Sequence, residues 1–403
     1  MARCICLIYA PLFLILTTHS HATRDVDGTC DVRGSSVLQV TSKRGNLSMQ
    51  TEDIAPFEGR EKTVTLCFRL SKMKVQSLRL IPQDSWSKVL EHAKCMILSS
   101  VQSGPAELLP HPDKPEKMMS TGKITGYLLS ESSLFVSDDT ITLKTCGTTT
   151  PLLALEPILD MVIPNWRGKS PHKFLKYASF IRLGYMFPDK QIAPHTSWDT
   201  EVEYLNKYFE GDDVILGTEN TSTYHVYVAN YLAKGQLLDS AISTQVALGH
   251  LSPEESMKVF VGTLAEDKTP LKTAWKDMHC DATRSSTSDP TIDEFFFEPI
   301  GYSSNAVFDE RFTTIHATPQ PSSSYMSVET SAPLTKDCKR NFVNAALGMC
   351  EAGTFSMTEF ALSPVFLGQG TPPVIPGFTV AKTSQWLSDN FACALHHYVR
   401  ESL

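Results

Sequence analysis

Apolar and polar residues alternate through Thr63-Val-Thr-Leu-Cys-Phe-Arg-Leu70, the period of a strand with one buried face. Trp86–Lys94 shifts to helical spacing, with Ser85 or Asp84 placed to cap it, and Cys95–Ser100 returns to strand character. Pro105, Pro110, Pro112 and Pro115 make 103–122 a loop. Tyr127–Val136 and Leu143–Thr149 are apolar around three serines, one acid and one cysteine, which predicts two short strands and a polar kink. Leu152–Ile163 predicts a buried helix stopped by Pro164, and Glu201–Phe209 a second one. Pro253–Phe260 predicts a third helix capped by Ser252, and Asp277–Asp293 a polar loop. Strands follow from Tyr224–Tyr231, from Phe295–Phe297 onward, from Ser324–Glu329 and from Gly353–Leu362; Ser384–Val399 predicts a closing helix. Strand groups and helices recur in both halves, without the strict alternation of a doubly wound parallel sheet and without a close internal sequence repeat.

With 403 residues and 42% hydrophobic content the chain can bury one large core or two ordinary ones. A net charge of −8 and the lack of Lys/Arg runs argue against nucleic acid or an anionic membrane as partner. The ten cysteines are scattered singly, without the paired spacing of a zinc site. Arg3, the apolar run Cys4–Leu16 and Ser20-His21-Ala22 have the form of a secretory signal peptide over residues 1–22, and the run itself is too short to span a bilayer comfortably. Residues 23–50 read as a linker or upstream extension, and Asn46 and Asn220 head triplets that an exported chain could glycosylate.

On its own a Glu-Ser-Ser kink is a turn whose hydroxyls bond nearby backbone. Here Leu129-Ser-Glu-Ser-Ser-Leu-Phe-Val136 is followed by Leu143-Lys-Thr-Cys-Gly-Thr-Thr149, and other motifs stand in order around the pair. These are Phe57-Glu-Gly-Arg-Glu-Lys62, Ile81-Pro-Gln-Asp-Ser-Trp86, Glu201-Val-Glu-Tyr-Leu-Asn206, Phe297-Glu-Pro-Ile-Gly-Tyr-Ser-Ser-Asn305, Thr314-Ile-His-Ala-Thr-Pro319 and Tyr325–Thr330. Together they resemble the eukaryotic S-adenosylmethionine decarboxylases, pyruvoyl-dependent proenzymes, over most of the chain from about Pro56 to beyond Thr330.

The resemblance implies an α+β fold: a four-layer α/β/β/α sandwich of two antiparallel sheets with helices outside, in two similarly folded halves. It implies one decarboxylase domain over residues 51–403, cut between Glu131 and Ser132 into a β chain (51–131) and an α chain (132–403). Removing carbon dioxide from an α-amino acid leaves electrons that no ordinary side chain can hold, and the chain has neither a Gly-rich phosphate loop nor a lysine motif for pyridoxal phosphate. By resemblance the sink is a pyruvoyl group made from Ser132, with no metal, and the substrate amine joins it as a Schiff base. His316 and Ser303 would serve the self-cleavage with Glu58 and Glu61 assisting, and Cys146 would protonate the product carbon. Phe57 and Phe297 would flank the adenine, with backbone near Leu129 and Glu131 reading its edge. The product implied by the resemblance is the aminopropyl donor for spermidine and spermine. Taken singly, each residue has a plainer reading: the histidine a satisfied strand residue, the cysteine a buried thiol, the two glutamates a solvated turn, the phenylalanines core.

Two departures stand out. The family's Thr-Pro-Glu, whose carboxylate holds the ribose hydroxyls, is Thr318-Pro319-Gln320 here, which predicts weaker substrate binding. Of the acidic cluster that holds putrescine in diamine-stimulated members, Glu329 has a counterpart, while Ala241 and Gln245 fall where other acids would stand; this predicts little or no stimulation. The alternative function is a catalytically weak paralogue acting as regulatory partner of a competent subunit, suggested by Gln320 and the leader. A secreted binding protein rests on the leader and glycosylation triplets alone. The resemblance favours cytoplasmic action, with Met49 a usable start, against the secretory reading of residues 1–22; a homodimer or a pairing with a regulatory paralogue stays open.

Overall fold

The computed structural model describes residues 57–105, 109–111, 114–119, 122–218, 222–233, 242–251, 278, 290–297, 301–320, 323–362 and 371–401. The leader, the linker, the glycosylation acceptors Asn46 and Asn220, Ala241 and the helix predicted at Pro253–Phe260 lie outside them.

The first half holds β1 (Lys62–Phe68), α1 (Gln83–Ala93), β2 (Ile97–Gln102), β3 (Leu109–His111), β4 (Lys114–Met119), β5 (Thr125–Leu129), β6 (Ser132–Val136), β7 (Thr140–Thr145), α2 (Leu155–Val162), β8 (Leu175–Leu183), α3 (Trp198–Leu205), β9 (Asp212–Thr218) and β10 (Ser222–Asn230). The second holds β11 (Ile242–Leu251), β12 (Thr291–Phe296), β13 (Tyr302–Phe308), β14 (Arg311–Thr318), β15 (Tyr325–Thr330), α4 (Lys336–Met349), β16 (Ala352–Ala361), β17 (Phe378–Leu387) and β18 (Ala392–Arg400).

Two eight-stranded antiparallel sheets result, ordered β2-β5-β6-β7-β1-β8-β10-β9 and β12-β13-β14-β15-β11-β16-β18-β17. Setting the small β3–β4 hairpin aside and counting strands from the start of each half, both sheets read second, third, fourth, fifth, first, sixth, eighth, seventh. The halves are therefore two copies of one topology, as the resemblance implied. The duplication leaves no visible sequence repeat because a sheet buried on both faces asks only for apolar side chains of fitting volume.

Each sheet is covered on both sides. On β1, Val64, Leu66 and Phe68 meet Trp86, Leu90, Leu155 and Leu159 of the helical layer, while Cys67 points the other way. That inner face packs Cys67, Tyr177 and Val226 against Ala247, Phe360 and Leu395 of the second sheet. Val246, Met326 and Phe355 pack outward on Phe342, Ala346 and Met349 of α4. Fully burying each such Leu, Phe or Met contributes about 1.5–3 kcal/mol, so the three interfaces together hold the four layers.

Several expectations need correction. Ser384–Val399 is not a helix but the end of β17 and most of β18, because Ala392–Leu395 is buried on both faces and shows no strand alternation. The proline-rich 103–122 contains the β3–β4 hairpin. Helix α1 begins after Pro82, with neither Ser85 nor Asp84 as its cap, and α3 begins three residues early because Ser197 and Thr200 close a capping box. The polar segment through Asp293 already pairs as β12 from Thr291. The pattern reading also passed over α4, whose stripe Phe342, Val343, Ala346 and Met349 is confined to its second half, behind the charged start Lys336–Arg340.

Candidate active site

β5 and β6 form a hairpin in which Leu129 faces Ser132, leaving Ser130 and Glu131 as a two-residue turn. The turn is pinned from outside, since Ser130 N–H donates to the Met96 carbonyl at 2.9 Å and Ser130 Oγ accepts from Met96 N–H at 3.1 Å. Ser132 follows with φ of 122°, a half of conformational space that side chains avoid at a cost of about 1–3 kcal/mol. Strand alternation would send Ser132 and Ser133 to opposite faces. The strained torsion breaks that rule, and both hydroxyls reach one imidazole.

That imidazole is His316 on β14. Ser303 on β13 lies in register with it, and its Oγ is 2.9 Å from Nδ1; Ser132 Oγ is 3.0 Å from Nε2. Thr314 and Asn305, two residues away on the same inner face, complete the pocket floor. All six side chains are buried. Burial, reinforced by the nearby Lys144 ammonium, holds His316 well below its usual range, so the ring is neutral and can accept a proton.

The carbonyl of Glu131 accepts from Cys146 N–H at 3.0 Å, with the Cys146 thiol 3.6 Å away. Burial, together with Glu131 and Glu61, pushes this thiol well above its usual range, so it is a proton carrier and not a thiolate. Burial likewise raises the Glu131 carboxyl to about 7, opposed by Lys62. Cys146 is set by the next residue. Gly147 takes φ of 64°, its N–H donates to the Glu58 carbonyl at 2.8 Å, and its own carbonyl accepts from Lys62 Nζ at 2.9 Å. Gln191 accepts a second Lys62 bond at 3.0 Å.

The predicted glutamates stand in the supporting frame. Glu58 accepts from Phe187 N–H at 2.8 Å and Arg60 N–H at 3.1 Å, and its carboxyl is raised by burial. Glu61, on the opposite face of β1 from Lys62, accepts from Tyr325 Oη at 2.9 Å and from Ser327 Oγ, and lies 3.6 Å from Lys144 Nζ. Neither carboxylate has a described contact with Ser132. Phe57 lies over Gly147, close enough that a Cβ there would come within 3.0 Å of the ring. Phe297 packs on Phe295 and Gly301 just beyond β12, with no described contact to Phe57. Leu129 is fully buried. Gln320 Oε1 accepts from Phe57 N–H and from Ser323 Oγ, each at 2.9 Å. Ser133, Asn305, Thr314 and Lys62 were not singled out from sequence. The period of two linking Ser303 to Asn305 and Thr314 to His316 is the signal that could have found two of them.

The adenosylmethionine decarboxylase family profile matches residues 55–107 and 117–366. The S-adenosylmethionine decarboxylase proenzyme of Saccharomyces cerevisiae is 30% identical over 351 residues, 78% of this chain and 84% of that one. The proenzymes of Dictyostelium discoideum, at 31% identity over 76% of this chain and 74% of that one, and Drosophila melanogaster, at 30% over 76% and 82%, are similar to the same extent. Among solved structures, the Trypanosoma brucei AdoMetDC-delta26 monomer aligns with a TM-score of 0.48 at 19% identity, covering 67% of this chain and 99% of that one. With three quarters of its length matched by the profile and by full-length relatives, this chain belongs to the adenosylmethionine decarboxylase family.

Proposed function

We propose that the chain cuts itself between Glu131 and Ser132 and then decarboxylates S-adenosylmethionine to the aminopropyl donor of spermidine and spermine synthesis. The observation that carries this reading is the Ser132 hydroxyl, 3.0 Å from a neutral His316 ring and one residue from a carbonyl already polarised by Cys146 N–H.

Ser132 Oγ bonds to the Glu131 carbonyl carbon as its proton passes to His316 Nε2. The peptide C–N bond breaks, the nitrogen takes a proton, and an ester replaces the amide. The Cys146 N–H stabilises the oxyanion of the intervening adduct. Loss of the Ser132 α-proton expels the Glu131 carboxylate and leaves dehydroalanine. Hydrolysis then releases ammonia and leaves a pyruvoyl group heading residues 132–403. The surroundings fit such a group: residue 132 sits in a buried pocket between a protonated thiol and a neutral imidazole.

The pyruvoyl carbonyl supplies the electron sink for decarboxylation. Cys146 holds a proton beside it for delivery to the carbon that loses carbon dioxide. Phe57 offers a ring face to adenine, and Phe297 the second face. Gln320 would hold the ribose, and its bond from Phe57 N–H supports this reading by tying it to the residue that would face the adenine. The full set of Ser132, Cys146, Ser303 and His316 favours a competent enzyme over a regulatory paralogue.

A denaturing gel with mass analysis tests the reading. Wild-type chain should yield a fragment ending at Glu131 and one of residues 132–403 with a pyruvoyl-blocked terminus, whereas Ser132→Ala should stay whole. An uncut wild-type chain with an unmodified serine would refute it.

A further inference from the structure

His316 Nε2 is crowded. Thr314 Oγ1 lies at 2.8 Å, Ser132 Oγ at 3.0 Å and Ser133 Oγ at 3.2 Å, while Nδ1 is taken by Ser303 Oγ. A neutral imidazole that donates from Nδ1 has one lone pair at Nε2, and each hydroxyl has one proton to give. Only one of the three can donate, and self-cleavage at Ser132 requires that it be Ser132.

The neighbouring acceptors decide the competition. Thr314 has the Ser304 carbonyl at 3.0 Å and Asn305 Oδ1 at 3.0 Å. Ser133 has Asn305 Oδ1 at 2.7 Å, shorter than its distance to the imidazole. Ser132 Oγ has only His316 among its described side-chain partners. Asn305 is fully buried and its Nδ2 has no partner. A buried amide donor left unbonded costs about 1–3 kcal/mol, which packing alone does not justify. The reverse amide orientation would turn Asn305 into a donor and send the Ser133 proton to Nε2.

We propose that Asn305 is a positioning residue for self-cleavage: its carboxamide oxygen captures the Ser133 hydroxyl proton and so reserves the His316 lone pair for Ser132. This rests on the self-cleavage reading above and adds which of two adjacent serines the base serves, and why.

The test follows cleavage of freshly translated precursor over time, with mass analysis of the junction. Asn305→Leu removes the acceptor and should slow cleavage by about tenfold or more, a loss within the range of a misdirected general base. Adding Ser133→Ala to Asn305→Leu removes the competitor and should return the rate to that of Ser133→Ala alone. A purely structural role would leave the double variant as slow as Asn305→Leu. Asn305→Asp keeps the acceptor and should cleave at close to the wild-type rate, which decides the matter if the leucine variant fails to fold. Wild-type speed in Asn305→Leu, no recovery in a folded double variant, or slow cleavage in Asn305→Asp would each overturn the proposal. An uncut wild-type chain would instead sink the reading on which it stands.

Discussion

Burial resets the chemistry of His316, and the bond to Phe57 sets that of Gln320. A histidine near 6.5 would lose its base form as the pH falls through that value, but His316 is held well below it by burial and by Lys144. The neutral form therefore persists on the acid side, and in a Glu131→Gln precursor, which removes the neighbouring carboxyl held at about 7, the self-cleavage rate should stay flat from pH 8 to 6, declining only well below 6.5. A decline centred at 6.5 in cleavage of that precursor would contradict this. Gln320 gives Phe57 N–H a neutral acceptor. Gln320→Glu keeps that acceptor and restores a charged partner for ribose hydroxyls, a change of about 1–3 kcal/mol, so KM should fall by roughly tenfold or more with self-cleavage unchanged. An unchanged KM would remove Gln320 from the substrate site. Residue identities such as Ser132, Cys146 and His316 were legible because ordered motifs carried them. Asn305 and Thr314 stood inside the same motifs, yet their part was invisible until two strands brought their hydroxyl and amide groups to one ring.

Among the elements, the β5–β6 hairpin and the β7 end with Gly147 do most to fix the site. The two-residue turn forces the strained Ser132, and Gly147 aims Cys146 back at the Glu131 carbonyl. Gly147→Ala places a Cβ 3.0 Å from the Phe57 ring in a backbone conformation worth about 1–2 kcal/mol against any side chain. The variant should melt lower and bind substrate several-fold more weakly, measured as Tm and KM; an unchanged KM would show that Phe57 does not face the adenine. Alternation in β1 from Thr63 was legible and separates Val64 and Leu66 from Cys67. Strand β18 was not, because Ala392–Leu395, buried on both faces, lacks the periodicity that distinguishes strand from helix.

Across the whole molecule, the two sheets face each other around a cavity whose lining includes Glu61, Gln245, Ser243 and Glu329, next to the Lys144 ammonium. Lys144 Nζ sits 2.5 Å from Glu329 and 3.6 Å from Glu61; burial disfavours its charge, but the two carboxylates outweigh this and hold it above its usual range. With an internal ammonium already paired to both acids, added putrescine should not stimulate activity, and a several-fold rise would overturn that expectation. Lys144→Met strands two buried carboxylates and should destabilise the protein by about 3–5 kcal/mol in urea unfolding; a loss below about 1 kcal/mol would show that the pair is not held ionised. The amino-acid sequence by itself determined the chemistry available: a Glu-Ser bond, a cysteine, a histidine and aromatic rings in a recognisable order, with enough apolar residues to bury them. Which hydroxyl meets which nitrogen, how the glutamates are shared out between frame and cavity, and that two unlike halves share one topology were decided by tertiary structure. Contacts such as Ser132 to His316 join residues 184 positions apart, and local patterning carries no information about pairs so distant until the sheets pack.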